Sequence, residues 1–355
     1  MRRFVIDNAL MWLRDYGFDG LRLDAVHAIF SFEAVHLLEE LSIAVQELSK
    51  ELGRPLLLIA ESDLNDPRLI SPVSQGGYGL DAHWLDDFHH AIHRYFTGES
   101  DGYYADFYGL KDVAAALREG YVYQGQYSAH RKRRHGRPPL GARPHQLVVC
   151  AQNHDQVGNR AQGERLSMLL TMPQLKAAAA LTILSPFVPL LFQGEEWGAQ
   201  TPFLYFTDHQ DHELGRRVAE GRSKEFSSFS WQGTVPNPQD IETFMRSKLN
   251  WAELAEPLHA ELADWYRALI RLRRAKPVVT RESAAMAEKP AVNFDASAEW
   301  LTFVHNGVLA VFNFSARAQP LPLPAGEWAL VLASVSQDSP AAEMPANATY
   351  IYKGT

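Results

Sequence analysis

The sequence is short of several things, and each shortage removes a class of protein. It has one cysteine, Cys150, so no internal disulfide framework holds it, and a reducing, cytoplasmic setting is expected. It has no run of about 18 or more apolar residues, so no membrane span is expected. It is short of positive charge: the formal net charge is −8, which disfavours a nucleic-acid or anionic-membrane partner. It shows no internal repeat of solenoid length. Its start, Met1-Arg2-Arg3, is basic, but Asp7, Asn8, Arg14 and Asp15 interrupt any apolar leader core. The spacing of Val5, Ala9, Trp12, Leu13 and Tyr16 predicts instead that the chain opens within an amphipathic helix.

What is present is an ordinary globular balance, 46% apolar and 21% charged, in 355 residues, enough for one large domain and a small one. Leu21 to Val26 reads as a strand. Ser31 then caps a predicted helix whose apolar face is Phe32, Val35, Leu38, Leu41, Val45, Leu48 and Leu52. Leu56 to Ala60 is a second strand, and this βαβ order favours a parallel sheet of the α/β class. Further strands are predicted near residues 81, 148 and 189, and helices over 111–119, Pro173–Leu184 and a stretch carrying Leu258, Leu262, Trp265, Leu269 and Leu272. After Pro277 the pattern changes. Apolar runs flank Asn306-Gly307, a type I′ hairpin signal, and residues 278–355 read as a small antiparallel β domain following a catalytic domain over 1–277.

The parallel strands end in acids: Asp24, Glu61 and Asp155 each follow an apolar run. One such acid is as readily a helix cap as a catalyst. Three of them, each at the end of a parallel strand, would meet at one mouth if the sheet closes into a barrel. Arg22, two residues before Asp24, points to the same side of the strand, and its charge favours the ionised form of Asp24.

The longer motifs carry a resemblance. Gly17-Phe18-Asp19-Gly20-Leu21-Arg22-Leu23-Asp24-Ala25-Val26-His27, Leu58-Ile59-Ala60-Glu61 and Gln152-Asn153-His154-Asp155 resemble the three carboxylate motifs of the α-amylase-type glycoside hydrolases, in order and rough spacing. The segments Glu61–Arg68, Asp86–His90, Asn153–Arg160, Gly194–Ala199 and Phe206–His209 resemble the malto-oligosyltrehalose trehalohydrolase branch of that family. The glucan branching enzymes share some of them and are the nearest rival.

The resemblance implies a (β/α)8-type barrel, present as about its last five βα units, with catalytic Asp24, Glu61 and Asp155. Asp24 would be the nucleophile, Glu61 the acid and base, and Asp155 the stabiliser of the positive sugar. Arg22, His27, Asp86, Asp87, Phe88, His89, His90, Asn153, His154 and Gln156 would contact substrate. The implied substrate is malto-oligosyltrehalose or a related α-glucan, with water as acceptor and neither metal nor other cofactor. The Asp and His motif that comes first in the family has no match before Asp24. The chain is therefore expected to correspond to the carboxy-terminal part of such an enzyme, with the amino-terminal part as a partner, or to be an inert glucan-binding remnant. His89 and His93 have metal-like spacing without the accompanying glutamate, and the Arg131–Arg137 basic run is expected to be a solvated loop.

Overall fold

The computed structural model describes residues 1–225, 235–275, 289–321, 323–335 and 343–354. The strands in chain order are β1 (Gly20–Leu23), β2 (Leu57–Ala60), β3 (Ala82–Trp84), β4 (Tyr127–Ser128), β5 (Arg133–Arg134), β6 (Leu147–Val149), β7 (Val188–Pro189), β8 (Ala291–Asp295), β9 (Trp300–His305), β10 (Val308–Asn313), β11 (Trp328–Ala333) and β12 (Ala348–Gly354). The helices are α1 (Arg2–Arg14), α2 (Leu37–Leu52), α3 (Asp86–Thr97), α4 (Leu110–Glu119), α5 (His154–Gly158), α6 (Leu166–Leu169), α7 (Met172–Leu184), α8 (His212–Glu225), α9 (Ile241–Arg246) and α10 (Pro257–Ala275).

Among the described residues, two five-stranded sheets share the chain. The first is parallel, in the order β1-β2-β3-β6-β7, with helices in the crossovers. The second is antiparallel, in the order β11-β12-β10-β9-β8. The predicted hairpin closes it: Val308 pairs with His305, and Asn306 (φ 49°) and Gly307 (φ 69°) both take the left-handed conformation that a type I′ turn requires. The expected boundary at 277/278 lies outside the described residues.

A continuous core joins the two sheets. Alternate residues of β10, Val308, Ala310 and Phe312, face the helices of the parallel sheet and pack in one cluster with Leu117, Ala180 and Leu181. Leu309 and Val311 face the other way, into a smaller cluster with Met344 and Tyr350. Buried Lys176 on α7 adds a polar tie, with Nζ 2.6 Å from Glu261 Oε1 and 2.7 Å from the Ser334 carbonyl.

Three element predictions shift. α1 buries Ile6, Ala9 and Leu13, while Val5, Trp12 and Tyr16 are exposed, because Trp12 packs with Tyr16 and Phe18 on the outer surface. α2 starts at Leu37 rather than after Ser31, and Phe32 and Val35 lie exposed before it. The cause is His36, whose Nδ1 accepts the Leu38 N–H at 3.2 Å while Nε2 donates to the Ile29 carbonyl at 3.0 Å. β7 is only two residues long: Pro189 has no N–H to give, although Leu190 N still reaches the Val149 carbonyl.

Candidate active site

Strand register sets the height of the acids. In the β1–β2 pair Leu23 lies beside Ala60, so Asp24 and Glu61 leave adjacent strands at one level. This close pairing needs Gly20, where an added Cβ would sit 2.7 Å from the Leu57 carbonyl oxygen. Beyond Asp24 the chain turns at once. Ala25 is left-handed (φ 42°), and its N–H donates to Glu61 Oε2 at 2.5 Å. The turn therefore aims a backbone donor at the carboxylate of the neighbouring strand. From β6, Asn153 caps α5, accepting the N–H groups of Asp155 and Gln156, and so places Asp155 in the first turn.

One guanidinium collects the three acids. Arg22 Nη1 donates to Asp24, and Nη2 stands 3.8 Å from Glu61 Oε2 and 3.6 Å from Asp155 Oδ2. Its carbon lies 4.5 Å from the Trp84 ring centre. Nε and Nη2 are buried without a hydrogen-bond partner. The Asp24 side chain is 81% exposed and that of Glu61 18%. His154 is exposed, packs edge-on to Trp84, and places Nε2 3.4 Å from Asp155 Oδ1. Gln156 holds a buried Oε1 without a hydrogen-bond partner.

Asp86 adds a fourth acid. Burial pushes its carboxyl up to about 8, and repulsion from Glu61, Asp63, Asp87 and Asp155 adds to that. The shift favours the protonated form, which can donate a hydrogen bond. His27 reaches the site's outer side, with Nδ1 4.0 Å from Asp63 Oδ1.

The rest of the 86–90 segment is placed differently from the block of sugar contacts expected. The segment is the first turn of α3, and a helix cannot turn five consecutive side chains to one mouth. Asp87 is buried and accepts the N–H groups of Val122 and Tyr123, each at 2.8 Å, and the amide of Asn65 at 2.7 Å. Phe88 is in the core against Phe187. His89 is buried beneath the site between the Ala151 carbonyl and Tyr104. His90 is buried and stacks on Tyr103.

Sequence reasoning missed three participants. Trp84 is the last residue of β3, a position that could have flagged it. The left-handed turn at Ala25 had no signal, since alanine is not a residue that favours positive φ. Arg131, read as part of a solvated run, has a side chain only 12% exposed, with Nη2 2.9 Å from Asp63 Oδ2. The acids Asp63 and Asp106 draw it inward, and the β4–β5 hairpin delivers it.

Relatives can now be set beside this geometry. No family model matches the chain. A malto-oligosyltrehalose trehalohydrolase from Rhizobium sp. (strain M-11) is 50% identical over 351 residues, covering 97% of this chain and 58% of that protein. The chain is a relative of the malto-oligosyltrehalose trehalohydrolases. It spans less than two thirds of the length of that relative. A solved structure of a candidate alpha amylase from Salmonella typhimurium matches the whole chain at TM-score 0.86 and 35% identity, the chain covering 60% of it. A pullulanase from Anoxybacillus sp. LM18-11, solved with maltotetraose, matches at TM-score 0.58 and 15% identity, the chain covering 46% of it, a likeness of fold alone. The fold is therefore the expected one, part of a (β/α)8-type barrel followed by an antiparallel sheet.

Proposed function

We propose that this chain carries the catalytic carboxylates of a retaining glycoside hydrolase, and that it cleaves the α-1,4 bond beside the terminal trehalose of malto-oligosyltrehalose. The observation that carries the reading is the single Arg22 guanidinium shared by Asp24, Glu61 and Asp155. Such a site is anionic overall and suits a sugar that becomes positive in the transition state. Neighbouring strands lie roughly 4.8 Å apart, and retaining enzymes need their two carboxyls about 5–5.5 Å apart. The β1–β2 register, which sets Asp24 and Glu61 level on adjacent strands, supports that spacing.

In this reading Asp24 attacks the anomeric carbon and forms a glycosyl ester. Glu61 gives its proton to the leaving oxygen and then takes one from the attacking water. Asp155 and Asp86 bind ring hydroxyls, the first as acceptor and the second as donor. The exposed ring of His154 lines the mouth beside Asp155. Trp84 supports Arg22, and Asn153 positions Asp155. Gln156 has a free amide oxygen for a hydroxyl. His27, Asp63 and Arg131 form the rim. Among the described residues no helix is long and apolar enough to cross a membrane. The single cysteine, Cys150, is buried and free, which fits a reducing, cytoplasmic setting.

The test is product analysis with malto-oligosyltrehalose. The proposal expects free trehalose, and its loss in Asp24→Asn. New α-1,6 branches without trehalose would make the chain a branching enzyme. Turnover that survives Asp24→Asn would reject the site itself.

A further inference from the structure

The segment bearing Asp155 runs into one buried polar cluster at both of its ends. In front, His89 Nδ1 lies 2.6 Å from the Ala151 carbonyl oxygen. A carbonyl only accepts, so Nδ1 carries the proton and Nε2 is left to accept, which it does from Tyr104 Oη at 2.9 Å. Tyr104 stacks on His93, with centroids 4.4 Å apart and planes 14° apart. His93 Nε2 lies 2.9 Å from Glu99 Oε2. Glu99 then receives both terminal nitrogens of Arg160, each at 2.8 Å. Ala151 precedes α5 and Arg160 follows it, so α3, through His89, and the residues just beyond its end, through Glu99, hold the chain on both sides of Asp155.

Neither end of this clamp can touch a sugar: His89 is 1% exposed and Arg160 6%. Burial, with repulsion from His93 adding, pushes His89 down to about 3, so the ring stays neutral and keeps one tautomer across the working pH range. Burial alone would push Glu99 up, but hydrogen bonds from His93 and Arg160 outweigh it and hold the group down to about 2. The anchor matters because α5 is only five residues long and buries little of its own. The Asn153 cap fixes Asp155 relative to α5, and something else must fix α5 relative to β1.

The geometry points to His89 as a positioning residue for the proposed reaction: through the Ala151 carbonyl it sets where β6 ends, and hence where Asp155 stands against Arg22. The inference rests on the reading of Asp155 as a group that acts on substrate, and it gives His89 a role other than sugar contact.

Three substitutions separate positioning from bulk stability. His89→Asn keeps an amide nitrogen near the place of Nδ1. His89→Gln keeps one near Nε2, and His89→Ala keeps neither. Displacing a reacting group by about 1 Å costs on the order of 100-fold. The kcat per folded molecule should therefore fall about 100-fold in His89→Gln and His89→Ala, with KM within roughly threefold, and most of it should return in His89→Asn. An unchanged kcat per folded molecule in His89→Gln, or no recovery in His89→Asn, overturns the inference. Asp155→Asn in parallel tells the two readings apart. Full turnover in that variant rejects the site. Lost turnover there beside normal turnover in His89→Gln rejects only the role of His89. A crystal structure needs no turnover: the 3.6 Å approach of Arg22 to Asp155 should lengthen in His89→Gln and persist in His89→Asn, and no change in His89→Gln contradicts the proposal.

Discussion

The two sheets obey the same hydrophobic rule and use it for different ends. Strands β8 to β12 run five to seven residues and pair over nearly their whole length. One buried polar group there, Asn313, is tied off on every side, while His305 Nε2 in β9 and Thr349 Oγ1 in β12 are buried without a hydrogen-bond partner. Asn313 sits in β10, and its amide donates to the carbonyls of Arg317, Met344 and Pro345 while its oxygen accepts from Ser315 and Gln319. The parallel strands run only two to four residues, and β1 and β2 stop directly at the charged residues Asp24 and Glu61. At the ends of the parallel strands Arg22 and Gln156 keep polar atoms uncommitted, burial and neighbouring acids push the Asp86 carboxyl up, and Ala25 is left-handed. Unpartnered polar atoms and left-handed non-glycine residues also occur at the antiparallel sheet, at Thr349 and Glu299. The difference is that at the parallel strands they gather around acids, as expected of a region built to receive something rather than to close on itself.

That contrast makes opposite demands on mutants of the two regions. Asp24 is exposed, so Asp24→Asn should remove turnover by more than roughly 10⁴-fold with an almost unchanged melting temperature. A large stability loss with residual turnover would blur the distinction. Phe312 is fully buried in the antiparallel sheet, so Phe312→Ala should cost about 3–5 kcal/mol in chemical denaturation. Its turnover per folded molecule should stay at the wild-type value. Arg22→Lys tests the shared guanidinium. A lysine puts all its donors on one nitrogen and cannot reproduce the planar fork that presents Nη1 to Asp24 and Nη2 to Glu61 and Asp155, so kcat should fall about 100-fold with little change in stability. Wild-type kcat would mean that only charge, and not the fork, is needed.

The smallest effect is a pH dependence. Glu195 is buried behind the site. Burial, with the negative charge of Glu196 adding, pushes its carboxyl up from 4.5 to about 8. Between those pH values the folded chain keeps a proton that the unfolded chain releases, so stability falls as pH rises. Glutamine cannot titrate. Relative to wild type, Glu195→Gln should gain about 1.4 kcal/mol per pH unit across that window, read by urea unfolding at about pH 5.5 and 7.5. A difference that does not change with pH would contradict it.

Legibility followed the same division. Strand and helix types were readable because apolar runs and 3.6-residue spacing reflect burial directly, and β2, α4, α7 and the β9–β10 hairpin lie where the patterns put them. The acids were readable because a charge at the end of an apolar run is a visible break. What stayed hidden depended on partners distant in sequence. The α1 face was misjudged because an amphipathic pattern does not say which stripe meets α2. The start of α2 depends on His36 bridging back to Ile29. Arg131 is drawn inward by Asp63, 68 residues earlier. His89 looked like a site residue by motif, and only the fold shows it turned toward Ala151.

The central claim is that Asp24 is the nucleophile among acids gathered by Arg22. Trapping tests it most directly: incubation with a 5-fluoro-α-glucosyl fluoride, digestion and peptide mass spectrometry. The account predicts one sugar ester per chain, on Asp24, absent from Asp24→Asn. A label on another residue, or one that survives in Asp24→Asn, would contradict it.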